Sequence, residues 1–197
     1  MNQYFENNVN IISNRKEISF RFFDVIYRFV VDNGVFSKEH IDYGTLALLK
    51  QVTKQPLSGT VCDMGCGYGV VGIILKSMFN QSEVFGFDVN ERAVELAKIN
   101  ATLNKQSIDF YVASQLDRIC DHVVFNPPIR AGKDVYYKLF EQAYDCLSPQ
   151  GKLWVVMRKS HGVESAMREC EKRFKRVELL KKDKGHYVFL AQKDLSK

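Results

Sequence analysis

Thirteen residues, Thr60 to Gly72 (Thr-Val-Cys-Asp-Met-Gly-Cys-Gly-Tyr-Gly-Val-Val-Gly), constrain the fold of this chain more than any others. A short apolar run ends in Asp63, glycines follow at every second position (Gly65, Gly67, Gly69), and an apolar helical pattern begins at once. That order is a strand feeding a glycine loop and then a helix amino terminus. Such a loop lets backbone N–H groups approach a ligand that side chains would hold off. The acid at the strand's end would repel a pyrophosphate. A carboxylate there suits a nucleoside with a cationic, amine-bearing tail.

S-adenosylmethionine is a ligand of that kind, and Asp63-x-Gly65-x-Gly67-x-Gly69 resembles the first motif of class I S-adenosylmethionine-dependent methyltransferases. Gly67-Tyr68-Gly69-Val70-Val71-Gly72 also satisfies the dinucleotide pattern G-x-G-x-x-G. In that pattern the first glycine follows the strand directly, with no acid before it. A nicotinamide-binding oxidoreductase therefore stands as an alternative, beside a glycine turn that holds no ligand.

A length of 197 residues fits one domain with a sizeable core. The expected division is an amino-terminal extension and cofactor-covering segment over 1–55 and a catalytic core over 56–197. No apolar run is long enough to span a membrane, and the first residues lack a signal-peptide pattern. Five cysteines without a C-x-x-C pair argue against a disulfide framework or a metal site, so a reduced, cytoplasmic setting is expected. The net charge of +5 is uneven: residues 101–197 carry 18 Lys/Arg against 12 Asp/Glu, and residues 1–100 carry 10 against 11. A basic half fits either a polyanion-binding surface or a solvated face.

Strand-like alternation from Tyr4 to Val31 predicts a hairpin over 17–31 that turns at Asp24. Asp32-Asn33-Gly34 is a turn, and Asp42 caps a helix that runs on through Val52. After the central strand, helices are expected from Val70 to Phe79, Glu91 to about Asn104, Asp134 to Cys146 and Val163 to Phe174. Strands are expected at Glu83–Phe87, Ile108–Val112, His122–Phe125, Leu153–Met157, Val177–Leu180 and Tyr187–Ala191, with Ser148-Pro149-Gln150-Gly151 as a turn. Alternating strands and helices predict an α/β fold: a Rossmann-like, doubly wound, mostly parallel seven-stranded sheet. A carboxyl-terminal antiparallel hairpin and a small amino-terminal β-hairpin complete it.

Asp88, 19 residues beyond Gly69, ends the second strand, where ligands bind in open α/β sheets. Its carboxylate can accept from both ribose hydroxyls; it also reads as a cap beside Asn90. Val89 follows it, and Ser114 is the candidate for the adenine contact. Asn126-Pro127-Pro128-Ile129 comes straight after a strand. Two prolines stiffen that loop and remove two N–H donors. The Asn126 side-chain oxygen and the Pro127 carbonyl become acceptors on a rigid frame. Accepting both hydrogens of an exocyclic amine aims its nitrogen lone pair at an incoming methyl group. Read alone, such a tetrad is more commonly a proline turn that ends a strand; one sheet position from the glycine loop, the acceptor reading is the stronger.

The tetrad resembles the (Asp/Asn/Ser)-Pro-Pro-aromatic motif of amino methyltransferases, with Ile129 in place of the stacking aromatic. With Arg130-Ala131-Gly132-Lys133 behind it, it is similar to the methyltransferase small family, which includes ribosomal RNA guanine-N2 methyltransferases of the small subunit. The blocks Gly34–Ser37, Asp42–Thr45, Lys159–Gly162 and Lys184–Tyr187 extend the likeness over most of the chain. The resemblance implies transfer from S-adenosylmethionine to guanine N2 of small-subunit ribosomal RNA. An adenine N6 or a protein glutamine amide is the alternative acceptor. It further implies that Phe36 and Thr45 close over the cofactor, and that Arg130 and Lys133 meet the RNA backbone. His161 and His186 have no partner visible in the sequence.

Overall fold

The computed structural model describes residues 12–35, 37, 39–129 and 132–194. Two strands, β1 (Lys16–Phe22) and β2 (Val25–Val31), form an antiparallel hairpin whose turn is Phe23-Asp24. The part of the expected strand pattern before Ile12, and Phe36 and Arg130, lie outside the described residues.

The central sheet has seven strands: β3 (Thr60–Met64), β4 (Glu83–Asp88), β5 (Asp109–Val112), β6 (Cys120–Phe125), β7 (Leu147–Arg158), β8 (Arg176–Asp183) and β9 (His186–Gln192). Their order is β5-β4-β3-β6-β7-β9-β8, with β9 antiparallel to both neighbours and the other pairings parallel. The order reverses at β3, so β3, β4 and β6 open a crevice at their carboxyl ends. The glycine loop, Asp88 and the Asn-Pro-Pro loop all stand there.

Alternation along the buried strands sorts their side chains to two faces. Val61, Val84, Val124 and Trp154 face α1 (Tyr43–Val52), α2 (Val70–Met78), α3 (Glu91–Leu103) and the hairpin. Cys62, Phe85, Val123 and Val155 face α4 (Lys133–Cys146) and α5 (Val163–Glu171). Asp42 and Asn90 cap α1 and α3 by accepting from Thr45 N–H at 3.0 Å and Ala93 N–H at 3.2 Å.

One expected turn is not a break. Ser148-Pro149-Gln150-Gly151 lies within β7 as a bulge, because Leu147 pairs with Cys120 and Lys152 with His122. The bulge is held from outside the ladder: Gln150 N–H donates to Asp194 C=O at 3.1 Å, and Lys193 N–H to Gly151 C=O at 2.9 Å. A proline is tolerated at such an irregularity because the ladder asks no donor of it.

The hairpin is fastened by side chains. Asn100 of α3 accepts from Val30 N–H at 2.6 Å and donates to Val30 C=O at 3.0 Å. Asn104, one turn later, does the same for Arg28 at 3.1 and 2.7 Å. Two amides at i and i+4 thus stand in for a strand along the open edge of β2. Asn100 donates also to Tyr68 C=O in the glycine loop at 2.9 Å.

Candidate active site

The acidic strand ends are held by the loop they face. Asp63 is 3% exposed and accepts from Gly72 N–H in the first turn of α2 at 2.8 Å. Burial pushes its carboxyl up to about 7, and the charge of Asp88 adds to this against the Gly72 hydrogen bond. Asp88 accepts from Gly67 N–H at 2.9 Å and from Asn90 N–H at 3.0 Å. Burial raises its pKa too, opposed by those N–H groups and that of Val89. Each oxygen keeps acceptor capacity for another donor.

Two adjoining cavities share Gly65, Asp88 and Asn126. The first is lined by Asp42, Thr45, Asp63, Gly67 and Pro127, with Val35, Ser37, Ile41, Tyr68 and Asn90 as its cover and flank. The second is an apolar slot between Phe87, Val89, Ala113, Phe125 and Leu139, with Ser114 and Pro128 in its wall. A nucleoside with a charged tail fits this pair: an apolar slot for a base, a carboxylate at the seam for ribose, and a buried carboxylate beyond for an ammonium group. A methyl group built on Gly67 would meet no protein atom within 4 Å, so that backbone is bare toward a ligand.

Asn126 is held by its amide nitrogen, which donates to Thr45 Oγ1 at 3.1 Å and Asp42 Oδ2 at 3.4 Å. Asn126 lines both cavities, and these two bonds do not use its side-chain oxygen. The Pro127 carbonyl accepts from Ile129 N–H at 2.8 Å, which leaves it one lone pair. The segment over the first cavity is tied down three times: Tyr68 donates to Ser37 C=O at 3.2 Å, Asn90 to Gly34 C=O at 3.1 Å and Arg92 to Asn33 C=O at 2.9 Å.

Asp63, Gly65, Gly67, Asp88, Val89, Ser114, Thr45, Asn126, Pro127 and Pro128 all line one or other of the two adjoining cavities. Gly69 and Ile129 line neither cavity. Gly69 starts α2 at φ 92° and abuts Ala97 of α3, while Ile129 packs on the apolar cluster beneath α4. Lys133 opens α4 and lays its stem over Gly162. Sequence reasoning missed Tyr68 and Asn90 as lining residues and Asp42 as a partner of Asn126. Tyr68 sits inside the glycine motif, which was the available signal.

The fold and this crevice are those of an S-adenosylmethionine-dependent methyltransferase. The profile of the methyltransferase small domain matches residues 26–190, and the chain belongs to that family. It is 36% identical over 196 residues to the uncharacterized protein YbxB of Bacillus subtilis (strain 168), covering 96% of this chain and 98% of YbxB. It is 35% identical over 132 residues to ribosomal RNA small subunit methyltransferase C of Pasteurella multocida (strain Pm70), covering 62% of this chain and 39% of the relative. Among solved structures, a Thermus thermophilus 16S rRNA N2 G1207 methyltransferase (RsmC) in complex with AdoMet and guanosine superposes with a TM-score of 0.82. The two are 24% identical over 91% of this chain and 50% of that one. The chain spans half or less of these named methyltransferases.

Proposed function

We propose that the protein methylates an exocyclic amine, guanine N2 of small-subunit ribosomal RNA, in the cytoplasm. Residues 1–55 serve as the covering extension and 56–197 as the catalytic core. One observation carries the chemistry: Asn126 lines both cavities and is gripped through its amide nitrogen by Thr45 and Asp42, bonds that do not use its oxygen.

When bound, S-adenosylmethionine supplies a methyl group on a sulfonium centre. Asp63 and the Gly65–Gly67 backbone hold the charged tail, Asp88 the ribose, and Val89, Ala113 and Ser114 the base. The Asn126 oxygen and the free lone pair of the Pro127 carbonyl accept the two hydrogens of the target amine, which turns its nitrogen lone pair inward. Fixing two reactants in line can lower a barrier by about 7–11 kcal/mol. As the nitrogen gains the methyl the sulfonium C–S bond would break, and the methylated nitrogen, now cationic and acidic, would lose its surplus proton to solvent without a strong base.

The relatives named as small-subunit RNA methyltransferases support an RNA substrate. Ile129, packed on the core and away from both cavities, offers no stacking surface of the kind that adenine- or glutamine-directed enzymes have. No helix among the described residues is long and apolar enough to cross a membrane.

The test is incubation with methyl-labelled cofactor and small ribosomal particles, followed by nucleoside analysis. Label in N2-methylguanosine is expected, and label in protein or in N6-methyladenosine would replace this reading. Asn126→Ala should keep cofactor affinity and lower turnover on the order of 10²-fold, as loss of one preorganised hydrogen bond does elsewhere. Full turnover in that variant would reject the orienting role.

A further inference from the structure

A third pocket lies on the same edge of the sheet, outside both cavities. It is lined by Arg158, Lys159, Ser160, Lys184, Gly185 and His186. β7 ends there, and Lys159 N–H donates to Gly185 C=O at 2.9 Å, which ties the β8–β9 turn to the strand end. Phe125 pairs with Val155, so Arg158 stands three residues, about 10 Å, further along the neighbouring strand. Asn126 follows Phe125 directly, which puts this pocket next to the loop that receives the target base.

The cations here are held in place but not neutralised. Arg158 is exposed and donates through Nε to His186 Nε2 at 3.2 Å, a bond that does not use its two terminal nitrogens. Lys184 Nζ sits 5.0 Å over the Tyr43 ring. The nearest carboxylate in sequence, Asp183, accepts from the Tyr43 hydroxyl at 2.7 Å. Among the described residues, Arg158, Lys159 and Lys184 have no carboxylate within ion-pair distance, whereas Arg28, Arg118, Arg173 and Arg176 each have one. A cluster of exposed cations that folding does not pair is what an anionic ligand requires.

The pocket is also coupled to the catalytic loop. The buried His186 ring packs against Tyr43 at a tilt, with centroids 5.4 Å apart. A methyl on Gly44 would lie 3.1 Å from His186 Cδ2 and 2.9 Å from Asp42 Oδ2. Gly44 thus lets His186 pack directly behind the residue that holds Asn126.

We propose that this pocket binds a backbone phosphodiester of the substrate strand beside the target nucleotide, with Arg158 and Lys184 as its principal contacts. The inference rests on the reading of the substrate as a nucleic acid and adds the place where its backbone is gripped. Phosphate contacts of this kind set register, while the base is read elsewhere.

The test is binding of a labelled single-stranded oligoribonucleotide to the full chain across a salt series. The pair Arg158→Gln/Lys184→Gln is compared with Lys175→Gln/Arg176→Gln, which removes equal charge from the far end of β8. Each lost phosphate contact lowers the slope of log affinity against log salt by about 0.7 for single strands, so the first pair, which removes the grip on one phosphodiester, should lower it by about 0.7 and the second should leave it unchanged. Equal slopes for the first pair and the parent, or equal losses in both pairs, would overturn the proposal. Inorganic phosphate at millimolar concentration should compete weakly; full displacement by it would mean a site for a free anion and would also overturn it. Cofactor affinity and thermal midpoint serve as fold controls. If the parent binds RNA with the expected slopes yet methylates none, the functional reading fails and the pocket stands. If it methylates RNA while the slopes do not move, the pocket fails alone.

Discussion

At the scale of single residues, the unusual feature is a buried carboxylate, Asp63, beside a half-buried one, Asp88, with no cation among their described hydrogen-bond partners. An unfolded Asp titrates near 3.9, whereas burial holds Asp63 near 7 in the folded chain. Between those values the folded state binds the extra proton. Unfolding free energy should therefore fall as pH rises from about 4 to about 7, and level off above. Asp88 is shifted in the same direction, so Asp63→Asn should flatten this fall without abolishing it. Denaturant titrations of parent and variant across that range check the point, and parallel curves would refute it. The identities of both acids were legible because each ends an apolar strand. Their mutual repulsion was not, since the sequence does not show that adjacent strands bring them together.

At the scale of elements, the glycine loop divides into two tasks. Gly67 and Gly69 both have positive φ, 53° and 92°, and alanine at either costs about 1–2 kcal/mol. Gly69→Ala adds a methyl 3.1 Å from Ala97 Cβ and 3.2 Å from its Cα, so it should lose about 1–3 kcal/mol more through crowding of α2 on α3. Gly67→Ala should melt above Gly69→Ala yet bind S-adenosylmethionine at least tenfold more weakly. Melting curves and calorimetric titration separate the two, and the reverse ranking would be fatal to this division. The motif had marked all three glycines alike for the cofactor; only helix packing distinguishes Gly69. Element order was legible from periodicity and from the caps at Asp42 and Asn90. The β7 bulge was not, because Ser-Pro-Gln-Gly has turn chemistry and its partners at Lys193 and Asp194 are some forty residues away.

At the scale of the whole molecule, pairs such as Arg173–Glu141 and Lys175–Asp194 are internal to the second half and leave its basic surplus untouched, whereas Arg118–Glu83 draws on an acid of the first half. Arg158, Lys159 and Lys184 lie on the edge that carries the crevice. A count of charges along the chain finds the surplus but not its location, which depends on β8 and β9 folding back beside β7. Asn100 was likewise invisible: a polar residue inside a helix pattern looks like a solvated position until the hairpin arrives. It is fully buried and serves three backbone groups. Asn100→Ala leaves them unpaired at about 1 kcal/mol or more each, and a stability loss of about 3 kcal/mol is expected in chemical denaturation. A loss within the range of ordinary surface substitutions would deny the clamp its importance.

That one amide grips both Val30 and Tyr68, so the outermost hairpin and the innermost loop share a fastening. Whatever quiets the backbone around Tyr68 should be felt some forty residues upstream. Amide protons of Arg28 and Val30 are therefore expected to trade with deuterium more slowly once S-adenosylmethionine is added. In Asn100→Ala that distant protection should vanish even where the ligand still binds.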